Sequence, residues 1–307
     1  MEEFLLNLPE LEHAFKKRKV NAFLIYQKGE IVTEYYKTEK CVQNVYKINS
    51  ITKSIISILI GIAIEKGYIH SIHTPIVEWI PNIPKEKQDL TIYHLLTMTT
   101  GEEWQEFGNG VVFPNDFVES NHWIDYILKK PLMNQPGTKM NYNSGSSHLL
   151  SYIVQKTTNM TTEQFAKIHL FDPLHITDYE WQQDPQGIFV GGFGMKMKAE
   201  DMLKIGLLCL QNGYWNGQQL VSSSWIEQSH QERFTTYEHI GAYGYHWWVL
   251  DPNNFNIPYH TYFAMGYGGQ YIIIVPQLEL VAVISSQMPK RGLVPLELFM
   301  NHLQETY

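Results

Sequence analysis

Ser50 stands three residues before Lys53 at the head of a long apolar run, SITKSIISILIGIAIEK. If a helix begins there, the two side chains lie one turn apart on the same face, within reach of each other. A hydroxyl at a helix N-terminus is well placed for acyl transfer, because backbone N–H groups and the helix dipole favour the negative charge that develops. A lysine desolvated against the apolar run has a lowered pKa and could take the hydroxyl proton. The same stretch also reads as an N-cap serine followed by a solvated lysine.

Two later segments carry further chemistry. In PGTKMNYNSGSSHLL, residues 136 to 150, a Pro-Gly turn leads through Tyr142 and Ser144 into a new helix, and could aim a phenol and a hydroxyl into a cleft. The structural alternative packs Tyr142 at the rim and leaves Ser144 as a helix cap. In Ala264-Met265-Gly266-Tyr267-Gly268-Gly269-Gln270, glycines at a strand edge permit close approach of a ligand to the backbone, where an outward N–H could complete an oxyanion hole. The alternative there is a bulge or tight bend.

These segments need a frame to bring them together. Asn21 to Tyr36 forms two β-rich runs around a Lys28-Gly29 turn, a hairpin signal, and Tyr271 to Pro276 and Leu278 to Ser286 are β-branched runs separated by a proline turn. The sheet is therefore expected from both ends of the chain. Between them, Lys53 to Lys66, Ile92 to Thr97, Trp123 to Lys129, Ser147 to Lys156 and Thr162 to Leu170 carry helical periodicity, and Leu296 to Thr306 reads as a helix packing back on the sheet. Long connections at Pro81 to Pro84, Gly108 to Asp116 and Pro131 to Thr138 are of the kind that line sites. The pattern predicts an α/β protein of the α+β type: an antiparallel sheet domain from residues 1–60 and 191–307, with a mainly helical domain inserted over 61–190 and the site at their junction.

Composition limits the alternatives. A chain of 307 residues, 44% apolar, can bury a large core. A formal charge of −8 with scattered Lys and Arg provides no footprint for nucleic acid or an anionic membrane, so a small-molecule or short-peptide partner is expected. The run Ile55 to Ile64 is about half a membrane span. The two cysteines, Cys41 and Cys209, make no disulfide framework, and MEEFLLNLPELEHAF is unlike a secretory signal, so a cytoplasmic location is expected. Thirteen histidines include no HExxH; His70 and His73 sit in a turn-like stretch without a third ligand, and no metal or other cofactor is expected. Oligomeric state stays open.

Taken together and in this chain order, the segments resemble the serine β-lactamase and penicillin-binding-protein superfamily. HLLTMTTGEEW at 94 to 104 is similar to the family's LLTMTSG segment, GGFGMKMKAEDMLKIGLLCLQNGYWNGQQLV at 191 to 221 to its GG-x-x-x-T-x-x-D segment, and GYGGQYIIIVPQLELVAVIS to its late strands. The Tyr-Asn-Ser and GGQ forms resemble the class C and esterase-like branch that includes 6-aminohexanoate-dimer hydrolases. The resemblance implies a β-lactamase/transpeptidase-like fold, with Ser50 as nucleophile, Lys53 as its proton acceptor or electrostatic partner, Tyr142 as acid/base on the leaving group and Ser144 as a hydrogen-bonding member of their network. It also implies an oxyanion hole from the N–H groups of Ser50 and Tyr267, and substrate contacts at Trp104, Gly266 and Gly268. Which of Lys53 and Tyr142 is the base stays open.

One departure bears on substrate. Where relatives acting on β-lactams or peptidoglycan carry Lys-Thr-Gly or a histidine in place of the lysine, this chain has Ala264-Met265-Gly266, and neither alanine nor methionine can pair with a substrate carboxylate. The expected substrate is a neutral amide or ester, or one whose positive charge meets Glu102, Glu103 or Glu106, residues that otherwise read as a solvated loop face. The function expected is a serine hydrolase working through an acyl-enzyme; the alternative is a penicillin-binding or sensor protein that acylates with little turnover.

Overall fold

The computed structural model describes residues 8–106, 114–237, 240–255 and 257–304. Residues 108–113 of the expected Gly108–Asp116 loop, and the last two of the expected C-terminal helix, lie outside them.

The strands of the main sheet are β1 (Val20–Gln27), β2 (Glu30–Tyr36), β3 (Phe234–Thr235), β4 (Gly241–Tyr243), β5 (Trp248–Leu250), β6 (Tyr262–Gly266), β7 (Gln270–Val275) and β8 (Leu280–Ser286). They lie in the order β2-β1-β8-β7-β6-β5-β4-β3, all antiparallel. The hairpin β1–β2 turns at Lys28 and Gly29, both at positive φ (48° and 100°), which matches the right-handed strand twist. Pro276–Leu278 forms a single 3₁₀ turn between β7 and β8. β1 pairs with β8, Phe23 opposite Ile284, so the two ends of the chain meet in the middle of one sheet.

Strand alternation divides the core. On one face Ala22, Leu24, Ile272, Ile274, Val281 and Val283 pack with the helices Ile51–Glu65 and Ala199–Leu210. On the other, Phe23, Ile25, Ile273, Ala282 and Ile284 pack with Leu11 and Phe15 of helix Leu8–Lys16 and with Leu296, Phe299 and Met300 of helix Val294–Gln304. Gly206 lets its helix sit down on the sheet, since a Cβ there would lie 2.5 Å from Val281 Cγ1. β7 and β8 are buried along their whole lengths, which explains their continuous apolar sequence.

Helix Ile51–Glu65 is buried from Ile51 to Ala63 and packs against helix Ser144–Thr158. Around the latter stand Ile92–Leu96, Trp123–Leu128 and Thr162–Ala166, the last continuing as a π turn over Lys167–Phe171. A three-stranded sheet of Tyr46–Lys47, Met195–Met197 and Tyr179–Trp181 borders the entrance to the first of these helices. No helix among the described residues is long and apolar enough to cross a membrane, and Cys41 and Cys209 are buried and free.

Candidate active site

Ser50 occupies the N-cap position of helix Ile51–Glu65, directly after Asn49, which adopts the left-handed conformation (φ 50°). Asparagine tolerates that conformation better than most residues. Its side chain ties the turn down: Asn49 Nδ2 donates to the Tyr267 carbonyl at 2.7 Å, while its own carbonyl accepts from Thr52 Oγ1 at 2.7 Å. The turn that carries Ser50 and the glycine turn after β6 are thereby joined. Gly266 permits the contact, because a Cβ there would fall 2.1 Å from the Ile48 carbonyl oxygen.

One helical turn on, Lys53 is 1% exposed, and its ammonium donates to Ser50 Oγ (3.1 Å), Ser144 Oγ (2.9 Å) and the Gly192 carbonyl (2.6 Å). Burial pulls its pKa down to about 8, against the opposing pull of the Glu106 carboxylate. The Gly191-Gly192 pair makes the third contact possible: a Cβ on Gly192 would lie 2.8 Å from Ser144 O, and one on Gly191 2.0 Å from Ser147 O.

Asn143 caps helix Ser144–Thr158, accepting from Gly145 N and Ser146 N, and so fixes Ser144 in its first turn. The Ser144 hydroxyl donates to Glu106 Oε1, and the Ser144 N–H to Glu106 Oε2 at 3.0 Å. With its proton committed to Glu106, Ser144 Oγ presents a lone pair to Lys53. A neutral Lys53 that kept its bonds to Ser144 Oγ and Gly192 O would have its lone pair toward Ser50 Oγ.

Tyr142 lies over the ammonium, with Lys53 Nζ 4.7 Å from the ring centre, and its hydroxyl is hydrogen-bonded to the Ser50 side chain. Burial pushes its phenol above the usual tyrosine range, with the Ser50 bond partly opposing. The ring stacks on Trp248 of β5 at 5.4 Å. Ser50, Tyr142, Met265, Gly266, Tyr267 and Gly268 line one cavity of about 150 Å³; a second of about 350 Å³ opens on the other side of Ser50. Among the described residues, neither the Ser50 nor the Tyr267 N–H has a backbone carbonyl partner.

The structure thus gathers Ser50, Lys53, Tyr142, Ser144, Gly266, Tyr267 and Gly268. Trp104 is elsewhere: it is 7% exposed, lines neither cavity, and its indole donates to Glu106 Oε2 at 2.7 Å. It supports the carboxylate from behind and does not face the cleft. The expected solvated acidic face is corrected at Glu102 and Glu106, while Glu103 is exposed. Glu102 is buried against Lys87 (2.5 Å), Thr100 and Asn143, and Glu106 is buried with its oxygens taken by Ser144 and Trp104, so neither is free to meet a substrate cation. Burial raises the Glu102 carboxyl, with Lys87 the main opposing influence.

Three contributors escaped the sequence reading. Glu106 holds the polarity of Ser144; Gly192 supplies a carbonyl to Lys53; and His246 joins the two helices. His246 Nε2 lies 3.0 Å from Ser147 Oγ, and its carbonyl accepts from Ser54 Oγ at 2.7 Å. Burial, with Lys53 adding to it, lowers the imidazole to about 3, so it stays neutral beside the ammonium. The Gly-Gly dipeptide was the visible signal for the second; a loop carboxylate and one histidine of thirteen offered none.

A model of the Beta-lactamase family matches residues 10–298, and the chain belongs to that family of serine hydrolases. The 6-aminohexanoate-dimer hydrolase of Paenarthrobacter ureafaciens is 23% identical across 92% of this chain and 76% of its own length. Among solved structures, a Bacillus anthracis protein provisionally assigned as a 6-aminohexanoate-dimer hydrolase superposes with a TM-score of 0.80 at 20% identity, covering 96% of this chain and 80% of that one. EstCE1, a hydrolase with promiscuous acyltransferase activity, superposes with a TM-score of 0.77 at 15% identity, covering 96% of each chain.

Proposed function

We infer that the protein hydrolyses a small amide or ester through an acyl-enzyme on Ser50. The observation that carries this reading is the buried Lys53 ammonium held between Ser50 Oγ, Ser144 Oγ and the Gly192 carbonyl with its pKa lowered to about 8. The opposite shifts of the two candidate bases favour Lys53 as the group that takes the Ser50 proton, while the Tyr142 phenol stays protonated and relays a proton to the leaving group. Ser50 Oγ adds to the carbonyl, the oxyanion accepts from the N–H groups of Ser50 and Tyr267, and the leaving amine or alcohol departs with a proton from the Tyr142 side. Water entering the vacated position then releases the acid.

Ala264 is fully buried and Met265 lines the cavity at the place of the late-strand cation, which supports ordinary esters and amides over β-lactams. We place the inserted helical unit at residues 61–190, with the site at its junction with the sheet. Buried free Cys41 and Cys209 are compatible with the reducing cytoplasm. Purified protein should turn over p-nitrophenyl butyrate many times per Ser50 and faster than nitrocefin, and Ser50→Ala should lose both turnover and fluorophosphonate labelling. Turnover that survives in Ser50→Ala refutes the nucleophile. A stable β-lactam adduct with no ester turnover would favour the sensor alternative.

A further inference from the structure

The cleft continues beyond Ser50. The cavity of about 350 Å³ beside the serine adjoins an outer one of about 520 Å³, and Lys47, Asn49, Lys196 and Tyr267 stand in the walls of both. The small three-stranded sheet sets the charge at this junction. Lys47 is directly opposite Lys196, and Lys196 directly opposite Glu180, so the three side chains form one row on one face. Lys196 Nζ is 2.6 Å from Glu180 Oε2, with the glutamate more than half exposed, while Lys47 is exposed and makes no ion pair among the described residues. The row therefore carries two ammonium groups against one carboxylate. Like charges directly opposite repel, and an anion seated beside them would relieve that repulsion.

The rest of the outer cavity has matching character. Asn21, Gln270, Ser285 and Gln287 contribute to its lining, and no aspartate or glutamate does among the described residues. The Asn21 side-chain nitrogen is buried without a hydrogen-bond partner. In the inner cavity the charge of the lining carboxylate, Glu106, is opposed by the buried Lys53 ammonium, which it meets through Ser144 Oγ. The unbalanced positive charge thus lies at Lys47 and Lys196, where the inner and outer cavities meet.

We propose that the outer cavity is a carboxylate subsite, so that the amide or ester cleaved at Ser50 carries a carboxylate at the far end of its acyl arm, the arm that lies away from Tyr142 and toward Lys47 and Lys196. This deepens the Ser50 reading and rests on it.

The test compares mono-p-nitrophenyl esters of the dicarboxylic acids from succinate to suberate with neutral p-nitrophenyl esters of equal chain length. In the wild type, kcat/KM at the best chain length should favour the monocarboxylate by about tenfold, equivalent to about 1.4 kcal/mol. The ratio should fall toward one in Lys47→Ala/Lys196→Ala, invert in Lys47→Glu, and shrink as salt is raised. A wild-type ratio at or below one at every length, or a ratio unmoved in the double variant, overturns the subsite. Binding of adipate monoanilide to Ser50→Ala, followed by calorimetry, gives a readout without turnover: binding lost with the two lysines supports the subsite, and equal binding with and without them refutes it. If neither ester class depends on Ser50 but the calorimetric difference holds, it is the Ser50 reading that has failed.

Discussion

Replacing Glu106 by glutamine removes the charge that opposes the effect of burial on Lys53. Lys53 Nζ is 2.9 Å from Ser144 Oγ, and that hydroxyl is hydrogen-bonded in turn to Glu106. Two unit charges about 5 Å apart at an effective dielectric of about 20 attract by about 3 kcal/mol. Water in the neighbouring cavity reduces this, and with one pH unit equal to about 1.4 kcal/mol, the titration of Lys53 should move by about one to two pH units. The sign follows from the active form. In the proposed mechanism neutral lysine takes the serine proton, so wild-type kcat/KM for p-nitrophenyl butyrate should rise with pH through about 8. In Glu106→Gln the rise should come at lower pH. The plateau should fall at least about tenfold, because a glutamine amide cannot accept from the Ser144 hydroxyl, the Ser144 N–H and the Trp104 indole together. Glu106→Asp keeps the charge and should keep the midpoint closer to that of the wild type. Steady-state kinetics across about pH 6 to 10, with thermal melts to establish folding, make the comparison. A midpoint that stays put or moves upward in Glu106→Gln, or an equal downward shift in Glu106→Asp, refutes the electrostatic role.

Gly192→Ala should cost about 1–3 kcal/mol in a denaturant melt and lower kcat/KM more than about tenfold, since the new methyl would sit 2.8 Å from Ser144 O and push the Gly192 carbonyl off Lys53. Wild-type values of both would show that the loop yields freely. Lys87→Met should destabilise by about 3–5 kcal/mol by stranding the buried Glu102 carboxylate, and Lys87→Met/Glu102→Gln should recover part of that loss in thermal melts; additive losses would contradict the pairing. Lys53→Met should lower ester turnover by about 10²–10⁴-fold while melting at a higher temperature than Lys53→Ala, because the methionine fills the channel that alanine leaves empty. Retained activity in Lys53→Met would remove lysine from the proton path.

The parts of the fold that could be read from sequence are those whose burial leaves a periodic trace. The hairpin at Lys28-Gly29 carries its own turn chemistry, and β7 and β8 show as apolar runs because both of their faces are covered. β3, β4 and β5 are two or three residues long, too short for any period to register, and their aromatic residues Tyr243 and Trp248 gave no strand signal. Helix Ala199–Leu210 lies inside a family-like segment, and its apolar residues are as regular as those of the other helices. At the site, Ser50, Lys53, Tyr142 and Ser144 stood out because their types and order are unusual together. Glu106 did not, since a carboxylate in a polar loop looks solvated until the fold delivers Ser144 and Trp104 to its oxygens. The same holds for Lys87 and Glu102, fifteen residues apart and both in irregular sequence, whose pairing exists only after the helices pack.

The pairing of β1 with β8 also governs the order in which the molecule can be completed during synthesis. β1 leaves the ribosome early, with an edge that has no partner until Leu280–Ser286 emerges. Over that interval the hairpin exposes Phe23, Ile25 and the row of unpaired N–H and C=O groups that native sheets conceal. Contacts so distant in sequence close slowly. A product stalled before residue 280 would hold Ser50 and Lys53 without the strand that seats β1 beside β7.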